Sequence, residues 1–239
     1  MSKQMVTLYK YISVKYAKDI IANGRLKMSN GESFNDPFEL LVCRQGNVPE
    51  KRIEGLQILC LTNSREMKLM WSHYADSHKG LCLAVKVPKE CVYPVVYSGK
   101  RPFVGCDIDA MMKITQRSVK KNLAKSYEEL PSSYKIALIK DRKWSYEKEY
   151  RIVLTEKDIR DLADGDNYFY PVKIERVYLG CRFEENDHEV VRSIVDICQN
   201  QKIPIKKMVL SESNYSIGVG DRPYGETSKI AAEEEFAIP

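Results

Sequence analysis

The chain has 239 residues, 44% of them hydrophobic and 30% charged, with only 12 Gly and 10 Pro. That composition excludes an intrinsically disordered chain, a collagen-like repeat and a disulfide miniprotein, and it supplies enough apolar mass for a full core. The formal net charge of +5 permits an anionic partner without requiring one.

Residues 5–11 alternate as a first strand. Ser13 then caps a helix running to Asn23, and Gly24 suits its left-handed end. A short strand at 25–29 leads into the turn signals Asn30-Gly31 and Phe34-Asn35-Asp36-Pro37. Residues 57–63, 80–87 and 92–98 are further runs of strand length and composition. From 107 to about 140 the spacing of Ile108, Met111, Thr115, Val119 and Leu123 turns helical, and Pro131 divides the stretch in two. Lys113, Arg117, Lys120, Lys121 and Lys125 fall on the opposite, basic side. Strands return at 149–155, 168–172 and 176–180. Asn186 with Glu189 reads as a variant capping box opening a helix with the stripe Val190, Val191, Ile194, Val195 and Cys198. Residues 203–210 form a last strand.

Short strands interrupted by helices without regular alternation predict an α+β domain over residues 5–210 with a mixed or antiparallel sheet. The weakly patterned residues 211–239 are expected to form a comparatively loose tail. Neither a G-x-G-x-x-G nor a G-x-x-x-x-G-K-[ST] phosphate cradle occurs. The 7 cysteines are odd in number, lack any C-x-x-C pair and often sit in apolar runs. They read as reduced core thiols, with Cys60, Cys82 and Cys198 expected inside. Met1-Ser-Lys-Gln leads straight into the first strand, and no apolar run has membrane-spanning length. The expected setting is the cytoplasm, with no membrane partner. His73, His78 and His188 have no metal-ligand spacing, so no metal is expected.

Three constellations are candidates for chemistry. Phe34-Asn35-Asp36-Pro37-Phe38-Glu39 builds a rigid corner, anchored in the core by both phenylalanines, that can shape a pocket wall. Trp71, Ser72, His73 and Tyr74 crowd the mouth of the strand at 80–87 and suit a planar ring, although the same residues also fit a packed loop. In Trp144-Ser145-Tyr146-Glu147-Lys148-Glu149-Tyr150-Arg151, a strand period places Glu147, Glu149 and Arg151 on one face. Tyr150, Ile152 and Leu154 then point to the core. Paired carboxylates can hold ribose hydroxyls and stabilise a developing cationic sugar. The same spacing is also that of a solvated charge ladder in which Arg151 neutralises Glu149.

The blocks Leu8-Tyr9-Lys10-Tyr11, Phe-Asn-Asp-Pro-Phe-Glu at 34–39, Met-Trp-Ser-His-Tyr-Ala-Asp at 70–76 with His78-Lys79-Gly80, and Trp-x-Tyr-Glu-x-Glu-Tyr-Arg at 144–151 occur in this order. Together they resemble an uncharacterised bacterial and phage family, a domain of unknown function, over about residues 7–210. A further resemblance is to the ADP-ribosyltransferase superfold, a split β-sheet that binds NAD. Lys10 or Tyr11, Ser72/His73/Tyr74 and Glu147/Glu149 occupy its three signature places in order, with Lys10 where His or Arg is usual.

That resemblance implies NAD as a substrate and transfer of ADP-ribose to a macromolecular acceptor, protein or nucleic acid. It gives Glu149 the ribose 2′-hydroxyl and the oxocarbenium-like transition state, and it gives Glu147 the acceptor nucleophile. Tyr74 or His73 would meet nicotinamide, while Tyr9, Lys10, Tyr11, Trp71, Ser72 and Asn35 would hold the rest of the dinucleotide. A role in phage–host conflict fits the family resemblance. The alternatives are an NAD glycohydrolase, with water as acceptor, and a non-enzymatic module. The module would use the basic 113–143 face, including Lys140, Arg142 and Lys143, for nucleic acid or an acidic protein.

Overall fold

Two runs rich in β-branched and apolar residues, β5 (Leu56–Thr62) and β10 (Glu149–Thr155), pair antiparallel from Glu149 opposite Thr62 to Thr155 opposite Leu56. Around them, the computed structural model describes residues 4–43, 51–103, 106–109, 129–162 and 168–224. The earlier strands are β1 (Met5–Ile12), β2 (Arg25–Lys27), β3 (Leu41–Val42) and β4 (Lys51–Arg52). After β5 come β6 (Leu81–Pro88), β7 (Tyr93–Pro94), β8 (Val96–Ser98) and β9 (Ile139–Asp141). The last strands are β11 (Phe169–Pro171), β12 (Lys173–Leu179), β13 (Ile205–Leu210) and β14 (Ile217–Pro223). The helices among the described residues are α1 (Val14–Asn23), α2 (Lys68–Tyr74), α3 (Ser132–Ile136), α4 (Glu156–Leu162) and α5 (His188–Asn200). The fold class is α+β.

The chain divides into two compact units interleaved in sequence. The first comprises Met1–Lys10, Asn23–Met67 and Ala84–Lys173; the second comprises Tyr11–Ala22, Lys68–Leu83 and Ile174–Pro239. In the first unit the strands lie in the order β6-β1-β5-β10-β7. Antiparallel β2–β11 and β3–β4 and parallel β8–β9 stand as separate pairs. Leu40, Leu56, Ile58, Val96, Leu138 and Val153 form its apolar core, with Phe34 and Cys60 packed against it. In the second unit β12 runs parallel to β13, and β13 runs antiparallel to β14. Parallel and antiparallel pairs thus occur together, giving a mixed sheet.

Local signals explain most elements. Lys15 N reaches Ser13 Oγ at the start of α1, and Gly24 takes a φ of 59° beyond its end. At α5 the cap is Asp187, whose carboxylate accepts from Glu189 N at 2.8 Å, rather than Asn186. Asn186 instead donates to the carbonyls of Lys79 and Phe183. Ile194 and Cys198 are the buried part of the expected stripe. Residues 68–74 are helical, where a packed loop is one of the two sequence readings, and β14 occupies part of the stretch expected as tail. The basic positions 113–125 lie outside the described residues.

Three further expectations are corrected. Both faces of β10 are buried from Glu149 to Val153, with Tyr150 and Ile152 on one side and Glu149 and Arg151 on the other, whereas Leu154, expected in the core, is only partly buried. Phe38 is 56% exposed and stacks with Arg101 at 4.8 Å instead of anchoring in the core. The seven cysteines are free thiols. Cys82 and Cys198 are buried as expected, whereas Cys60 is only partly so.

In the second unit Gly180 meets another backbone too closely for any side chain: a Cβ there would lie 1.9 Å from the His78 carbonyl oxygen. At Gly218 no atom of the described residues lies within 4 Å of that position. Gly180→Ala should therefore cost about 3 kcal/mol in a denaturant titration, while Gly218→Ala should stay within about 1 kcal/mol of the parent.

Candidate functional site

The first unit gathers its charges in one place. Arg151, on β10, is 1% exposed, and because a guanidinium keeps its charge its burial demands hydrogen-bonded partners. Its Nε donates to Glu149 Oε1 at 2.7 Å, its Nη1 to the Ala137 carbonyl at 2.7 Å, and its Nη2 to Glu149 Oε2 at 3.1 Å and to Glu39 Oε2. The Phe34 ring lies 5.2 Å from its Cζ. Lys140, on β9, completes the cluster. Its ammonium meets Glu147 Oε2 at 2.6 Å, Glu149 Oε2 at 3.0 Å and Glu39 Oε1 at 3.1 Å, one carboxylate for each of its donors. The Trp144 ring lies 5.0 Å from Nζ.

Local structure aims each member. Asp36 Oδ1 accepts from Phe38 N at 2.9 Å, making the side-chain turn that Asn-Asp-Pro predicts. Arg52 staples that corner by donating to the carbonyls of Gly31, Pro37 and Glu39. The corner thereby delivers Glu39 to the cluster. Glu147 does not lie on β10: it ends a 3-10 helix spanning Arg142–Glu147, and Lys148 follows in the left-handed region at φ 45°. This kink turns Glu147 back beside Glu149, and Thr62 Oγ1 holds its carbonyl at 2.7 Å. Tyr97 fixes the next turn by accepting from Glu149 N at 2.8 Å.

Three carboxylates against two cations leave one negative charge in excess within this set. Burial alone would push the Glu149 carboxyl up, but Arg151 and then Lys140 overcome it and hold the group well below the usual carboxylate range. Burial likewise opposes the Lys140 charge, and Glu149, Glu39 and Glu147 reverse this and raise its pKa. Glu149, Lys140 and Arg151 are therefore each held in the charged form. The cluster is neither a solvated ladder nor a basic patch, since Lys140 is 7% exposed and committed to glutamates. Arg142 and Lys143 remain exposed.

The other expected site residues divide between the units. Tyr9, Lys10 and Asn35 belong to the first unit with Glu147 and Glu149. Lys10 Nζ donates to the Cys60 carbonyl at 2.9 Å, on the residue opposite Arg151, and Arg65 donates to the Tyr9 hydroxyl at 2.9 Å. Asn35 is exposed. Tyr11, Trp71, Ser72, His73 and Tyr74 belong to the second unit. There the buried Trp71 meets the Tyr11 ring edge-on at 5.1 Å, His73 is exposed against Tyr74, and Ser72 reaches His78 rather than His73. Sequence reasoning missed Glu39, Lys140 and His78 as members of these sites. Glu39 and His78 lie within the blocks at 34–39 and 70–80, whereas Lys140 carried no signal beyond its charge. Among the described residues no group of three or more His, Cys, Asp and Glu could hold a metal ion, and no helix is long and apolar enough to cross a membrane.

Removing one partner of a buried pair leaves an uncompensated charge. Arg151→Met should lower unfolding free energy by about 3–5 kcal/mol. Glu149→Gln should also destabilise. Because the folded pKa of Glu149 is depressed, its contribution is present above the unfolded value of about 4.5 and is lost as pH falls through the folded value. The gap in Tm between parent and Glu149→Gln should therefore be constant from pH 6 to pH 8 and shrink below about pH 4.5, as thermal melts across that range would read.

Residues 70–152 match the family model described as a protein of unknown function (DUF2971), which covers about a third of the chain. The match takes in the 70–76 and 144–151 blocks and leaves out the 34–39 corner. No curated protein and no solved structure matches the chain, so the likeness to the ADP-ribosyltransferase superfold gains no support from them. The sequence resemblance to an uncharacterised family is thus shown over residues 70–152.

Proposed function

We propose that the first unit cleaves the bond between nicotinamide and ribose in NAD and passes the ADP-ribosyl group to a macromolecular acceptor. The single observation that carries this reading is the excess negative charge of the Glu39, Lys140, Glu147, Glu149 and Arg151 cluster. Loss of nicotinamide takes the bonding electron pair from the ribose carbon and leaves positive charge on the sugar. A fixed carboxylate such as Glu149, held charged by Arg151 and Lys140, stabilises that charge more in the transition state than in the ground state. The acceptor nucleophile then bonds to the ribose carbon and gives up its proton to solvent. With water as the nucleophile the same chemistry is a glycohydrolase reaction. Glu147, joined to the cluster through Lys140, is the carboxylate assigned to the acceptor, and Glu149 the one assigned to the ribose.

One observation favours a second reading. The side chains of Glu39, Lys140, Glu147, Glu149 and Arg151 are all 6% exposed or less, as suits a clasp that ties the 34–39 corner to β10 without chemistry.

The two readings part on one experiment. Incubating the parent with NAD should release nicotinamide and label a macromolecule in a cell extract. Glu147→Gln should lower the rate at least about a hundredfold while keeping the fold, because it leaves the Arg151 pairs in place. No nicotinamide release by the parent, or an undiminished rate in Glu147→Gln, would leave the clasp as the surviving account.

A further inference from the structure

Three successive residues of the second unit, Asp76, Ser77 and His78, hold φ values of 47°, 51° and 73°. Left-handed backbone is unfavourable for non-glycine residues and persists only where the surroundings impose it. The surroundings here do so. Asp76 Oδ2 accepts from Val14 N at 2.8 Å and caps α1, and the His78 carbonyl accepts from Arg182 N at 3.1 Å. Asn186 holds the Lys79 carbonyl at 2.9 Å, and the absent side chain of Gly180 lets the His78 carbonyl approach. Capping and carbonyl pairing hold the backbone but leave the His78 ring to be placed separately.

The ring lies nearly parallel to Trp71, with centroids 6.4 Å apart and planes 14° apart. Its Nε2 is 3.2 Å from Ser72 Oγ, while Nδ1 is buried and has no hydrogen-bond partner among the described residues. When Nδ1 carries the ring hydrogen, Nε2 is left to accept from the serine. Burial first, and then the Arg182 guanidinium, hold His78 below its usual pKa of 6.5 and so keep it neutral. Glu185 in turn pairs Arg182 at 2.7 and 2.8 Å and Lys79 at 3.1 Å. Ser72 is exposed on α2, one turn from Leu69, which is 49% exposed.

We propose that Ser72 and His78 form a nucleophile and general base that give the second unit an acyl-ester hydrolase activity, with Leu69 flanking an apolar acyl arm. Ser72 Oγ bonds to the ester carbonyl carbon while its proton passes to His78 Nε2. Collapse of the tetrahedral adduct breaks the carbon–oxygen bond to the alcohol, which leaves with the proton from Nε2. Water, deprotonated by the same nitrogen, then attacks the acyl-serine, releases the carboxylic acid and returns the proton to Ser72. This activity is independent of the glutamate cluster and of NAD.

The test uses the full chain, an alkyl fluorophosphonate and p-nitrophenyl butyrate. The parent should be labelled once, with the adduct mapped by peptide mass spectrometry to Ser72, and the label should vanish in Ser72→Ala. Because Ser72 is exposed, that variant should keep the parental Tm. His78→Gln should label at least about a hundredfold more slowly. The parent rate should rise through the lowered His78 pKa and stay flat above it. Butyrate ester hydrolysis should follow the same order. Absence of a Ser72 adduct in the parent, or parental labelling by a folded His78→Gln, would overturn the proposal.

Discussion

A guanidinium with 1% of its surface exposed sets the terms for the first unit. Unpaired, Arg151 would make its burial prohibitively costly; paired to Glu149 alone, it would still have donors to satisfy. The fold answers with Glu39 from the 34–39 corner and the Ala137 carbonyl. The added carboxylate then calls for a second cation, and Lys140 meets all three glutamates. The corner, the 3-10 turn at 142–147, β9 and β10 are consequently held by one ionic network rather than by apolar packing alone.

The apolar core and the network are two ends of one surface. Val153 faces the same side of β10 as Arg151, opposite Ile58, and packs with Leu40, Leu138 and Ile58. Leu40 adjoins Glu39, and Leu138 lies two residues before Lys140. The segments that bury the apolar end therefore also deliver the charges to the polar end. Buried ionic groups add little net stability compared with an apolar isostere, yet they penalise wrong pairings heavily. Here they fix which segments meet β10.

How much of this was legible in the sequence followed the range of the interactions. β5 and β10, the helix ending at Gly24 and the turn at Asp36 depend on neighbours within a few residues, and composition and spacing revealed them. The shared face of Glu149 and Arg151 was readable from strand period. That this face is buried was not, because alternating charge reads as a solvent face until a second layer covers it. The covering layer comes from Glu39, which is 112 residues from Arg151, and from Lys140, whose charge alone suggested a basic patch. His73 drew notice ahead of His78 by its place beside Ser72 and Tyr74. A run of three left-handed residues has no dependable sequence mark when none is glycine. The same run brings His78 back over Trp71.

The claim on which the rest depends is that Glu39 and Arg151, far apart in sequence, share one buried ion pair. A double-mutant cycle on unfolding free energy, with Glu39→Gln, Arg151→Met and both together, measures that directly. The account predicts that the double variant loses about 1–3 kcal/mol less than the two single losses combined, since each change already removes the shared pair. Additivity within about 0.5 kcal/mol would mean that the two side chains do not interact, and it would contradict the account.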